Sequence, residues 1–385
     1  MLRLDSEEKH RYHSRDCRES KESAADVLDI SREANFDSGS LIVNWGGIMK
    51  TLVTGSTGCV GTGLVERLLA KGYEVRALAR KTSDLSYLKT TKAEIVFGDV
   101  TQFDTLVPAV QGIDIVFHCA AKVTPGWGPW SEFEAITVEG TKNVLKASAE
   151  AGVKRFLQVS SVTTYGDAGQ KGDVRVDENT PCEAQKTPAS YYDYAKRLAD
   201  EACWEYHKQG KIKVSMIRIG IAYGPRDRLT ADRCYIQTLI PIVAWPGKAN
   251  PRFAVTHTKD VAELAILVAT SDKAIGQVYN VAGPEAVRMK EVTRAVAKAQ
   301  GGPKILITVP FTLAYVGAVI IENVAKLMRT KSTPFLNRNI MLQLGKEGHL
   351  DGTKARTELG WVPQISLEEG TRQYVQWRRN RKKNP

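Results

Sequence analysis

An α/β fold, a doubly wound parallel sheet followed by a smaller mixed C-terminal lobe, is predicted by three observations. Apolar runs of strand length alternate with segments of helical period from Lys50 onward. Those runs carry few polar breaks, as strands buried on both faces do. A glycine-spaced loop joins the first run to the first helix, the place where such sheets take up a phosphate group.

In chain order, TLVTG (51–55), EVRALA (74–79), EIVFG (94–98), IDIVFH (113–118), RFLQVS (155–160) and VSMIRIG (214–220) read as strands. Between them, Val60–Ala70, Asp104–Val110, Glu134–Ala151 and Tyr192–Lys208 carry the helical period. Repeated strand–helix–strand order gives a parallel sheet covered by helices on both faces. Beyond about Tyr223 the alternation fades into the Pro- and Gly-rich stretches YGPRD and AWPGKANPRF. Helices such as Val261–Thr270 and Lys290–Gln300 follow. This part reads as a smaller lobe over the sheet's carboxyl edge, where open α/β sheets bind ligands. The expected organisation is a disordered extension (1–48), a dinucleotide-binding domain (49–222), a mainly substrate-binding lobe with returns to the core (223–378) and a basic tail (379–385).

Composition excludes several classes. With 385 residues, 43% hydrophobic and 25% charged, the chain is an ordinary globular one that can bury a large core. Its six cysteines (17, 59, 119, 182, 203 and 234) form no C-x-x-C pair. They read as free thiols in a reducing compartment, which points to the cytoplasm. The net charge is +11, yet residues 1–48 hold seven Lys/Arg against ten Asp/Glu, so the excess lies downstream. Only WRRNRKK (Trp377–Lys383) concentrates it. No nucleic-acid motif accompanies that run, so nucleic acid is not an expected partner. A phosphate-bearing ligand or a membrane surface accounts for the bias equally well.

The first 48 residues are dense in charge of both signs and lack the apolar segment of a signal peptide. His10, His13 and Cys17 form too loose a trio to predict a metal site. The buried-strand pattern starts at once after Met49. A chain begun at Met49 is therefore expected to keep full stability and activity, and loss of folding would count against that start.

The loop VTGSTGCVGTGLVERLL spaces Gly55, Gly58 and Gly61 as G-x-x-G-x-x-G. Gly55 permits the tight turn, Gly58 lets backbone approach a pyrophosphate, and Gly61 lets helix and strand pack closely. The free amides of the helix start, at Cys59 and Val60, then face the anion. The pattern predicts a Rossmann-type dinucleotide site. The next strand ends in Ala79, Arg80 and Lys81, without the acid that would accept ribose hydroxyls. The Arg80 guanidinium suits a 2′-phosphate, so NADP is expected in preference to NAD. Asp99 in FGDV is placed to meet the adenine amino group.

SYYDYAKR (Ser190–Arg197) holds three tyrosines. Together with TGSTGCVG, GDV, FHCAA and VSSVTTYGD, it gives the chain a resemblance to the extended short-chain dehydrogenase/reductase superfamily over about residues 49–378. The chain is most similar to the branch of 3β-hydroxysteroid dehydrogenases, sterol-4α-carboxylate dehydrogenases, dihydroflavonol reductases and hopanoid-associated epimerase-like proteins. The resemblance implies that Val100 and Ala120 join the cofactor wall. It also implies a catalytic Tyr-x-x-x-Lys, and only Tyr192 has a lysine four residues on, Lys196. That spacing puts both on one helical face, where the ammonium would draw the phenol from about 10 toward neutrality. In this family the same lysine also hydrogen-bonds the nicotinamide ribose. By position relative to Tyr165, the family's Ser/Thr falls on Ser161, with Ser160 beside it. Tyr191 and Tyr194 are left to packing or substrate contact. Two positions depart from the family, Thr137 for Asn and Ile219 for Pro; neither removes a reacting group.

Substrate signals are fewer. KVTPGWGPW (Lys122–Trp130) should bring Trp127 and Trp130 to the site. Ile305–Ile321 holds seventeen residues without a charge, split by Pro310. It is too short and interrupted to span a bilayer, but fits a lobe helix or an apolar face beside one. Three functions are open. The first is a dehydrogenase or reductase acting on a secondary alcohol or ketone of a sterol-like, isoprenoid or flavonoid-like small molecule. The second is a nucleotide-sugar epimerase or dehydratase with retained cofactor, in which Arg226 of YGPRD binds a diphosphate. The third is a non-catalytic cofactor sensor. Peripheral membrane contact and a homodimer are the partners to test.

Overall fold

The computed structural model describes residues 48–124, 127–170, 175–240, 242–246, 252–302, 305–330, 334, 336–338, 340–341 and 349–383. The expectations for 1–47 lie outside them. The chain begins β1 (Lys50–Thr54), α1 (Cys59–Ala70), β2 (Glu74–Ala79), β3 (Glu94–Phe97), α2 (Phe103–Val110), β4 (Ile115–His118) and α3 (Trp130–Phe133). A π turn (Glu134–Glu139) leads to α4 (Gly140–Glu150), β5 (Arg155–Ser161), β6 (Arg175–Val176), α5 (Tyr191–Lys208) and β7 (Val214–Ile219). Then come β8 (Ile221–Tyr223), α6 (Thr230–Gln237), β9 (Ile242–Pro246), β10 (Arg252–His257), α7 (Thr258–Thr270) and β11 (Val278–Val281). The chain continues with β12 (Ala286–Arg288), α8 (Met289–Ala299), β13 (Ile305–Val309) and α9 (Phe311–Leu327). It closes with β14 (His349–Leu350), α10 (Thr353–Leu359) and α11 (Leu367–Lys383).

Seven parallel strands form the main sheet in the order β11-β7-β5-β4-β1-β2-β3. Successive side chains point to opposite faces, so each strand feeds two cores. Val53, Phe117, Leu157 and Ile217 join α1 and α7 on one face. Leu52, Val116, Phe156 and Met216 join α4 and α5 on the other. Strand order reverses between β1 and β4, which opens a crevice at their carboxyl ends.

The six strands and the helices between them fall where the sequence places them. The seventh strand, β11, is absent from the sequence reading because it has four residues and carries Asn280 at its centre. That buried amide is partnered: Tyr165 donates to its Oδ1 at 2.8 Å, and its backbone donates to Glu178 at 2.8 Å. α7, read with the lobe, packs with α1 on the main sheet. The uncharged stretch 305–321 divides at Pro310 into β13 and the start of α9. A third core, with Tyr223, Tyr235, Trp245, Val287 and Tyr374, lies in the lobe.

Candidate active site

The glycine loop turns where a side chain cannot. Gly55 has φ +64°, and a Cβ there would stand 2.8 Å from the Ala120 amide. A Cβ on Gly61 would stand 2.2 Å from the Gly55 carbonyl oxygen. No side chain caps the start of α1 and no acid stands in its first turn. By helix geometry, the amides of Cys59, Val60 and Gly61 precede the first intrahelical bond, Thr62 to Gly58 at 2.9 Å. This cradle of amides and positive dipole fits the pyrophosphate of a dinucleotide.

β5 ends in two adjacent serines that the strand sends opposite ways. Ser160 donates to Asp200 at 2.7 Å and borders the same cavity as Ser161. Ser161 accepts from the Thr163 hydroxyl at 3.0 Å and also bonds Tyr192. α5 carries Tyr192 and Lys196 one turn apart. Both line one cavity of about 900 Å³, with Ser161, Thr163 and the glycine loop.

The electrostatics differ from the sequence expectation. Burial pushes the Tyr192 phenol up to about 12, and only the Ser161 hydrogen bond pulls it down. Lys196 is not among the groups that shift it, and its ammonium donates to the Val159 carbonyl at 2.6 Å. Burial lowers Lys196 while the Asp200 carboxylate, one turn on, opposes that shift. Asp200 in turn stands 3.6 Å from Arg218, whose guanidinium lies 4.8 Å from the Tyr165 ring centre.

Behind β1, His118 bridges Thr54 at 2.8 Å and Thr141 at 3.0 Å. Thr141 donates to the Thr137 carbonyl at 2.6 Å, and the Lys122 amide donates to the Thr137 hydroxyl at 3.0 Å. Thr137 thus keeps a buried link at the position where the family has Asn. Ile219 lines the cavity. Burial, aided by the charge of Lys196, pushes His118 from 6.5 down to about 3. Because only the unfolded chain takes that proton between those values, stability falls as pH drops through this window. Urea unfolding at about pH 7 and about pH 4 should differ by about 2–4 kcal/mol, and His118→Gln should flatten the difference.

Gly55, Gly58, Cys59, Val60, Gly61, Ser161, Tyr192 and Lys196 all line the cavity. Arg80, Asp99, Val100 and Ala120 stand outside its lining, just past the ends of β2, β3 and β4. Arg80 is exposed, and Asp99 accepts from the Thr101 amide at 2.9 Å and hydroxyl at 2.8 Å. Trp127 and Trp130 are not among the lining residues, contrary to expectation; of the described residues of that stretch, Val123 is the one that lines it. Trp130 opens α3 and packs on Tyr191 and Tyr194, with ring centres 5.6 and 5.4 Å apart. Those two tyrosines are therefore packing residues. Arg226 lines the cavity, but its guanidinium pairs with Glu66 at 3.1 Å and stacks on Tyr87 at 3.6 Å. Thr163 is a site residue that the sequence reading missed; the run of hydroxyls in SSVTT was its only signal.

The model of the NAD dependent epimerase/dehydratase family matches residues 51–282. A 2-alkyl-3-oxoalkanoate reductase of Stenotrophomonas maltophilia is 28% identical, covering 84% of this chain and 98% of its own. Sterol demethylase protein B of Methylococcus capsulatus is 27% identical, covering 86% of this chain and 99% of its own. A solved dTDP-glucose 4,6-dehydratase of Streptomyces venezuelae, with NAD bound, superposes with a TM-score of 0.69 at 23% identity. It covers 87% of this chain and 98% of its own, and shares the fold.

Proposed function

Since this chain belongs to the NAD dependent epimerase/dehydratase family of extended short-chain dehydrogenases/reductases, we propose that it oxidises or reduces a secondary alcohol or ketone on an apolar small molecule. Sterol-like, isoprenoid and flavonoid-like substrates are the classes to try. One observation carries the reading: Ser161, Tyr192 and Lys196 meet in a cavity that Trp245, Phe253, Met289, Val309 and Met341 continue as an apolar wall. Relatives named for reducing a 3-oxoalkanoate and for sterol demethylation support it.

The glycine loop and the α1 amides would hold the dinucleotide phosphates, with Arg80 and Asp99 toward the adenosine. A bound nicotinamide supplies or accepts the hydride. Tyr192, a neutral phenol in this setting, gives a proton to the substrate oxygen during reduction and recovers it during oxidation. Ser161, held by Thr163, hydrogen-bonds that oxygen and orients it. Lys196, which donates to the Val159 carbonyl, would stand beside the reacting groups, with the Asp200 carboxylate opposing the downward pull of burial on its ammonium.

The epimerase or dehydratase alternative has the weaker support, because the Arg226 guanidinium is engaged by Glu66 and Tyr87. Purified protein given NADH or NADPH with apolar ketones should consume reduced cofactor. Tightly retained cofactor with sugar-nucleotide turnover and no net consumption would replace this reading. For cofactor choice, Arg80→Ala should weaken NADPH binding by about 10–100-fold and leave NADH unchanged. Equal effects on both would withdraw the NADP preference. The cytoplasm stays the proposed compartment, supported by free thiols at Cys59, Cys119, Cys182, Cys203 and Cys234.

A further inference from the structure

α9 is apolar yet hardly covered. Of its 17 residues only Ala318 and Glu322 are buried. Leu313, Val316, Ile320, Val324 and Leu327 recur at three- and four-residue spacing and so share one face. They are 64, 52, 58, 49 and 85% exposed. An apolar face of this extent, about 21 Å along the axis, marks a surface that meets a partner or another phase.

The same helix borders the cavity. Ala314 and Gly317 line it, and so does Ile240, itself 58% exposed just past α6. The mouth therefore lies beside the exposed apolar face. A second copy seated there would cover the mouth, whereas a lipid surface leaves it facing the phase in which an apolar substrate dissolves.

Charge narrows the choice of surface. From Ile305 to Thr330 the only acid is Glu322, which is buried and accepts from Lys326 at 2.6 Å and Arg338 at 2.8 Å. Those two cations are 53 and 42% exposed, and Arg329 is exposed at the end of α9. Toward β13, Arg379 donates to the Gln300 carbonyl at 2.7 Å. This contact ties the basic end of α11 to the residue just past α8. An apolar face whose own segment, 305–330, carries no exposed acid and ends in exposed cations complements anionic headgroups. No helix among the described residues is long and apolar enough to cross a membrane, so the contact is that of a helix lying in the interface plane.

We propose that the outer face of α9 docks on an anionic lipid surface and presents the cavity mouth to the bilayer. The docking extends the redox reading but has its own readout, so failure of either is seen separately. The full chain is sedimented with vesicles of phosphatidylcholine, alone or with added phosphatidylglycerol, while NADPH binding is followed by fluorescence. The chain should partition onto the anionic vesicles and leave them as salt rises. Ile320→Glu/Val324→Glu should lower that partition at least about tenfold with NADPH binding intact. Arg329→Glu should weaken binding to the anionic vesicles in the same assay. A chain that stays in the supernatant with both vesicle types overturns the proposal. A dimer that Ile320→Glu/Val324→Glu converts to monomer, without vesicle binding, overturns it too and assigns the face to a second copy.

Discussion

Tyr192→Phe is expected to cut turnover by about 10²–10⁴-fold while NAD(P)H affinity stays unchanged. The substitution removes one oxygen from a cavity wall and leaves the ring, so packing on α5 is kept. What it removes is the proton that the substrate oxygen must gain or lose. Burial pushes this phenol up to about 12, so it is protonated throughout the neutral range. Reduction should then be nearly flat from about pH 6 to 9, whereas oxidation, which needs a base, should climb with pH. A bound cofactor that turns the Lys196 ammonium toward the phenol would shift the climb to lower pH without reversing its sign. Turnover within a few-fold of the native chain would remove Tyr192 from the chemistry, and unchanged cofactor binding would show that the loss is not one of folding.

Local spacing made the sheet, the glycine loop and the tyrosine–lysine pair readable. Strand alternation, G-x-x-G-x-x-G and an i, i+4 pair are set within one element and its neighbours, so distant residues cannot disguise them. The misreadings all involve partners remote in sequence. Trp130 is adjacent to the site along the chain, but its rings of contact, Tyr191 and Tyr194, draw it away onto α5. Arg226 has the composition of a diphosphate ligand, yet Glu66 and Tyr87, far upstream, occupy its guanidinium. β11 hides because Asn280 breaks its apolar pattern, and only Tyr165 and Glu178 explain why a buried amide is tolerated there. The same limit governs the acidity of Tyr192. Spacing says that Lys196 is near, but not that its ammonium is turned to the Val159 carbonyl.

Asp200→Ala is expected to destabilise the fold by about 3–5 kcal/mol, read as a lower urea midpoint with unchanged slope. Lys196, Asp200 and Arg218 are 3, 3 and 5% exposed, so three ionisable groups share one buried layer, where burial works against the charges of Lys196 and Asp200 and their mutual attraction, with that of Arg218, opposes it. The carboxylate carries two of its contacts on one oxygen, Ser160 at 2.7 Å and Arg218 at 3.6 Å. Removing it leaves two buried cations without a counter-charge, and a buried ion that loses its partner costs far more than the pair is worth. An exposed pair such as Lys298 with Glu368, at 77 and 74% exposure, provides the contrast; Glu368→Ala should cost less than about 1 kcal/mol. Asp200→Asn, which keeps the shape and a hydrogen-bonding oxygen for Ser160, should fall between the two. If Asp200→Ala unfolded no more easily than Glu368→Ala, the carboxylate would not be acting as counter-charge to the buried cations around it.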